Sequence, residues 1–159
     1  MDKEKLLALL LPGLSGRISF ALNDQQLFFL VQELLQEKAH YIRGISSKDG
    51  YLQLDLNNPV VKKLDLKIVS LEISSTKLIV SLRILNILPL FLKPVIVLLS
   101  KIGFHGKMTD DVLVVDFSNK LQNLTVGLPQ NIQDKLDHLI IEVFPQSGKI
   151  DVNISVKSL

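Results

Sequence analysis

The stretch Lys63–Ile84, KLDLKIVSLEISSTKLIVSLRI, decides the fold. Its second arm, Lys77 to Ile84, alternates with Leu78, Val80, Leu82 and Ile84 on one face, the period-two pattern of a strand with one buried side. Its first arm, Lys63 to Ser74, alternates too, but with a change of parity. Leu64, Leu66 and Ile68 share one face, whereas Val69, Leu71 and Ile73 fall on the other. A β-bulge between Ile68 and Val69 returns both sets to one core; the alternative is a strand covered on both faces. The bulge is the better reading, because Lys63, Asp65 and Lys67 before the switch and Ser70, Glu72 and Ser74 after it then all point to water. A long hairpin bent in this way predicts an antiparallel sheet that curves around something apolar.

An apolar segment follows directly, Ile84–Gly103, ILNILPLFLKPVIVLLSKIG. Read as a helix from about Leu90 to Ile102, it gathers Lys93, Ser100 and Lys101 on one strip. Phe91, Leu92, Val95, Ile96, Val97, Leu98, Leu99 and Ile102 then cover an arc much wider than the roughly 100° stripe that an ordinary surface helix buries. Such a helix needs partners on several sides, so it is expected at the centre of the domain or partly in lipid. Pro89 suits a first helical turn, and Pro94 predicts either a kink or a start at that residue. A membrane span is not expected, since about 20 apolar residues are needed and Asn86, Pro89, Lys93 and Pro94 interrupt a shorter run.

Outward from this centre, Arg17–Leu22 alternates as a strand with Ile18, Phe20 and Leu22 on one face. Asn23 or Asp24 caps an amphipathic helix from Gln25 to about Ala39, with Leu27, Phe28, Leu30, Val31, Leu34 and Leu35 at helical spacing. Tyr41–Ile45 and Tyr51–Asn57 read as a hairpin turning at Ser46–Gly50, with Leu52, Leu54 and Leu56 inward. Beyond the central helix, Phe104–Met108 and Val112–Phe117 form a hairpin around Thr109-Asp110-Asp111. Two short helical turns are expected between Ser118 and Asp137, the second led by Pro129. His138–Phe144 and Lys149–Lys157 form a last hairpin, half solvated on its outer face. The opening MDKEKLLALLLPGL imitates a secretion signal weakly: Asp2 and Glu4 neutralise its charged part and no small-residue cleavage site follows. Residues 3–11 are therefore expected as a short helix packing Leu6, Leu7 and Leu10, or as an interfacial anchor.

Composition removes several classes of chemistry. The 159 residues suffice for one domain with a real core. There is no cysteine, which excludes disulfides, thiol catalysis, iron–sulfur clusters and cysteine-based zinc sites. Eighteen basic against 16 acidic residues, scattered along the chain, leave a net charge of +2 and no basic stripe for nucleic acid. Hydrophobic residues reach 47% with only 6% aromatic and no tryptophan, so any cavity would have walls of branched alkyl groups suited to acyl chains. His40, His105 and His138 lie on different elements and form no ligand pair. Asp110, Asp111 and Asp116 are explained by a turn and a strand end. No nucleophile elbow and no glycine-rich phosphate loop is present.

A helix along a long, bent antiparallel sheet, with an apolar helix inserted after a long hairpin at a Leu-Pro, is similar to the tubular lipid-binding class of the bactericidal permeability-increasing type, which includes small bacterial phospholipid-binding proteins. Lys63–Ile84, Leu88-Pro89 to Ile102, and Gly127-Leu128-Pro129 leading to Ile132 carry the resemblance. It implies recognition of acyl chains through cavity walls rather than a fixed motif, so no single residue takes over a role from it.

The expectation is thus a single α+β domain over residues 1–159, residues 1–12 forming a short helix. A long twisted antiparallel sheet of about seven to nine strands wraps one or two apolar helices. The expected function is non-catalytic binding of a lipid, acyl chain or other apolar ligand, or of a membrane surface. The alternative is a structural or assembly protein that uses residues 84–103 as an oligomer or partner interface. The candidate ligand walls are Phe91, Leu92, Val95, Ile96, Leu98 and Leu99 of the central helix and Leu78, Val80 and Leu82 of the strand before it. No cofactor, metal or nucleic acid is expected, and the location is read as cytoplasmic, with a position peripheral to the membrane as the alternative.

Overall fold

The computed structural model describes residues 17–86, 92–102, 106–109, 112–125, 127 and 130–156. The expected helix at residues 3–11, Pro89, Phe91 and the turn residues Asp110 and Asp111 lie outside them, as does the side chain of Leu92. The described chain is α+β, built mainly of antiparallel strands.

Strand β1 (Arg17–Asn23) leads into helix α1 (Asp24–Leu35). Asn23 caps the helix through a reciprocal pair: its Oδ1 accepts the Gln26 N–H at 2.8 Å, and its own N–H donates to Gln26 Oε1 at 2.9 Å. Asp24, the other cap candidate, turns instead to β2 (Ile42–Lys48) and accepts the Ser47 N–H at 2.9 Å. The helix stops at Leu35, four residues before the expected end. Gln36 adopts a positive φ of 53°, which ends α-helical progression, and the chain tightens into a 3-10 helix over Gln36–Tyr41. The apolar periodicity hid this break because the helical polar face simply continues through Gln36, Glu37 and Lys38.

Strand β2 runs to Lys48 rather than to Ile45, and meets β3 (Tyr51–Leu56) through the two-residue turn Asp49-Gly50. Gly50 has φ of 84°, the left-handed conformation such a tight turn requires. The bent hairpin is β4 (Lys63–Ile73) and β5 (Leu78–Ile84). Ile68 lies opposite Leu82 but Ser70 lies opposite Ser81, so Val69 is the extra residue and the register shifts where the parity switch placed it. Leu71 and Ile73 return to the inner side, partly buried, whereas Val69 itself is 46% exposed. Val69 therefore corrects the expected inward set: the bulged residue has no partner opposite it and is pushed out of the pleat.

Helix α2 (Leu92–Ile102) follows, then β6 (Gly106–Thr109), β7 (Val112–Asp116), the short helices α3 (Ser118–Thr125) and α4 (Gln130–Leu136), and the hairpin β8 (Leu139–Gln146) and β9 (Lys149–Val156). Pro145 sits in β8, which has a strand partner on one side only, where a missing N–H is tolerated.

The nine described strands divide between two sheets, not one. Six lie in the order β2-β3-β4-β5-β7-β6 and three in the order β1-β9-β8, all pairs antiparallel. The three-stranded sheet owes its separate existence to β1 pairing with β9 across nearly the whole chain, Phe20 opposite Val152, a pairing that local periodicity does not reveal. Two apolar clusters result. One joins α1, α2 and the inner face of the larger sheet, with Leu64, Val95, Ile102 and Val115 fully buried. The other joins the smaller sheet to α4 through Leu136, Leu139, Ile150 and Ile154, and Leu27 of α1 packs against both.

Candidate functional site

The candidate site is an apolar cavity of about 200 Å³ between α1 and the inner face of the larger sheet. Its helical wall comes from Leu27, Val31 and Leu34, one turn apart on one face of α1, with Leu35 beside them. Opposite, β2 and β3 contribute Ile45, Leu52 and Leu54. The bent strand gives Leu66, Ile68 and Leu71, its neighbour β5 gives Val80 and Leu82, and Phe117 stands just after β7. Every one of these side chains is hydrocarbon. The strand residues converge because they share the inward parity, and the bulge keeps Leu71 on that face beyond Val69.

Leu27, Val31 and Leu34 face the inward residues of the sheet across this space, and apolar voids of this kind stay dry unless something apolar fills them. Among the described residues, none that lines the cavity carries a side chain that could hydrogen-bond. Ligands that suit it are therefore hydrocarbon at the end they insert.

Of the strand residues expected as ligand walls, Val80 and Leu82 line this cavity. Leu78 is half-buried but stands at the far end of its strand, where its N–H donates to Ser118 Oγ at 3.1 Å. On α2 the outcome differs from the expected all-round apolar arc. Val95, Leu99 and Ile102 form one stripe at helical spacing and are sealed in the closed core, and Leu98 packs partly buried on its flank. Ile96 is half-buried, while Val97 is 57% exposed beside the exposed Lys93, Pro94 and Lys101. None of these α2 residues lines the cavity. The helix behaves as an ordinary amphipathic one with an apolar residue left on its outer side. The walls that reasoning missed belong chiefly to α1, whose signal was the wide apolar set Leu27, Val31, Leu34 and Leu35.

A second depression adjoins the first. It lies between β4 and β8, holds about 220 Å³, and is lined by Ile68, Val69, Ser70 and Leu71 on one side and Ile141, Glu142, Val143 and Phe144 on the other. Among the described residues no group of three or more His, Cys, Asp or Glu side chains gathers in a way that could hold a metal ion. No described helix is long and apolar enough to cross a membrane.

In comparison with known proteins, no family model matches the chain, and neither a curated protein nor a solved structure matches it.

Proposed function

We propose that this chain is a non-catalytic binding module for an apolar ligand, a lipid or acyl chain, held between α1 and the bent sheet that wraps it. One observation carries the reading: a cavity of about 200 Å³ whose thirteen lining residues among the described ones are all apolar. A core left imperfectly filled at this size is costly, by up to several kcal/mol on the scale of about 24 cal/mol per Å³. That cost is sustained more readily if the space has an occupant. The surplus of aliphatic over aromatic side chains, 47% hydrophobic with 6% aromatic, matches a chain-like ligand better than a ring.

The rival reading, an assembly protein with the 84–103 segment as interface, has less behind it. A dimer built on Leu92, Ile96 and Leu99 would need Leu99, which is 1% exposed and already packed in this chain's own core. Among the described side chains of that segment, Leu85 and Val97 are the large hydrophobic ones left exposed.

Native mass spectrometry of the purified protein, with organic extraction of the same sample, is the direct test, and co-purifying lipid is the expected result. A fluorescent apolar dye, N-phenylnaphthylamine, should also bind in a 1:1 ratio and lose its site in Val31→Phe, whose ring would occupy the cavity without breaking a hydrogen bond. Dye uptake that Val31→Phe leaves unchanged would move the ligand elsewhere. A lipid-free dimer by light scattering would favour the rival.

A further inference from the structure

Resting on that reading, we infer that the ligand is a single-chain amphiphile whose polar head lies in the crevice between β4 and β8 beside Glu142, and that the site selects a cationic head over an anionic one. Ile68 and Leu71 line both the crevice and the cavity, so the two spaces lie side by side at the bulge of β4. At about 200 and 220 Å³, neither reaches the volume of roughly 300 Å³ at which small-molecule sites begin, whereas together they do. A molecule that uses both spaces must change character along its length. The cavity walls are all hydrocarbon and would leave a polar head unpaired, which is costly in a low-dielectric interior. The crevice instead supplies the Ser70 hydroxyl and the Glu142 carboxylate.

The strand pattern explains why this crevice stays open. β3 pairs with β4 only from Lys63 to Leu66, and β8 pairs with β9 on one side alone, so the two strand edges face each other without a hydrogen-bonded ladder between them. The bulge at Val69 adds twist where the edges would otherwise approach. Val69 and Phe144, 46% and 47% exposed, stand on opposite sides of the opening and give the neck of a chain apolar cover where it leaves the cavity.

Charge decides the head. Glu142 is the one ionisable residue among the described residues of the crevice lining, and Glu72 lies exposed two residues beyond Ser70 on β4. Lys67 precedes the β4 residues of the crevice and is not among its walls. An anionic head would meet a carboxylate of like sign, and an ammonium head an opposite one. Because Glu142 is exposed, screening keeps the preference to about three- to tenfold between heads of opposite charge.

The test is displacement of N-phenylnaphthylamine from the intact chain by decylammonium, decanol and decanoate, each below its micelle concentration, in low and high salt. The expected order is decylammonium first, decanol between, decanoate last, with the spread shrinking as salt rises. Glu142→Gln, an exposed and isosteric change, should bring the three within about twofold while leaving decanol unmoved. Decanoate that equals or beats decylammonium, or an order that Glu142→Gln does not alter, overturns the placement of the head while the cavity reading stands. A wild-type chain that takes up no dye, or from which none of the three displaces it, overturns both.

Discussion

At the scale of single residues, α2 is where burial and exposure separate most sharply. Leu99 and Val97 are two positions apart on one helix, 1% and 57% exposed. Leu99→Ala opens a void in a closed core and should cost about 2–5 kcal/mol. Val97→Ala should fall within about 0.5 kcal/mol of the parent. Urea denaturation of the two variants checks the pair, and equal losses would mean that α2 is rotated from the orientation described. A second residue-scale expectation concerns acid. Asp137 Oδ1 accepts both the backbone N–H and the hydroxyl of Ser75, each at 2.8 Å, which ties the β4–β5 turn to the start of β8. These bonds, the backbone one foremost, hold the carboxyl below its usual 3.8, against a small opposing effect of burial. A depressed folded value stabilises the protein fully above the ordinary carboxylate range and is lost as pH falls through that lowered value. Asp137→Asn removes the charge, so the stability gap between parent and variant should close as pH drops from about 5 to about 2. The gap itself should be only about 0.5 kcal/mol, since the pair is solvated. Asp116, lowered by the Ser118 hydroxyl and N–H, titrates in both proteins and leaves the difference untouched.

At the scale of elements, the bulge gives the strongest contrast. Deleting Val69 removes the residue without a partner and leaves Ile68, Leu71 and Ile73 on the inner face, with Ile68 still opposite Leu82 and Leu71 opposite Val80. The variant should fold with unchanged register, lose the extra twist of β4, and bind dye more weakly because Ile68 and Leu71 border the cavity. Deleting Glu72 instead moves Ile73 to the solvent face and should destabilise by about 1–3 kcal/mol, the usual range for a disturbed core position. Cross-strand nuclear Overhauser effects between β4 and β5 distinguish the two outcomes.

The bulge was legible in the sequence because parity is a strictly local signal. A hydrophobic run that changes face between Ile68 and Val69 has few solutions once both halves must be buried. The hairpins were legible for the same reason, with their tips off by a few residues where β2 continues through the polar Ser46, Ser47 and Lys48. The identity of the cavity helix was not. Both α1 and α2 carry apolar residues at helical spacing, and the wider arc on α2 favoured it as the wall. Which stripe closes against the sheet and which spans a gap depends on the curvature of the sheet beneath it, a non-local quantity. The split into two sheets was hidden likewise, because it rests on β1 finding β9 at the opposite end of the described chain.

At the scale of the whole molecule, Ser47 is a polar junction at which both sheets and α1 meet. It is the one buried polar side chain among the described residues, 2% exposed. Its N–H donates to Asp24 at the start of α1, its hydroxyl donates to the Lys149 carbonyl at 2.8 Å, and its own carbonyl accepts the Gly148 N–H at 2.9 Å. Nearby, the Gly50 N–H donates to the Pro145 carbonyl at 3.0 Å, so the tips of the β2–β3 and β8–β9 hairpins are bonded twice through their backbones. The smaller sheet thus hangs on the larger one by the hairpin tips at one end and by apolar packing of Leu27, Leu52 and Ile73 at the other. Ser47→Ala removes the hydroxyl while keeping both backbone bonds, and takes from the Lys149 carbonyl the bond that this hydroxyl donates. The expected cost is about 0.5–1.5 kcal/mol, the net contribution of one such hydrogen bond. Because Ser47 joins separate elements, the loss should appear as faster amide exchange at both hairpin tips and at the first turn of α1 together. Exchange that quickens in the β2–β3 hairpin alone would show that the sheets are coupled through their apolar clusters, and that the polar junction contributes nothing to keeping the cavity helix in place.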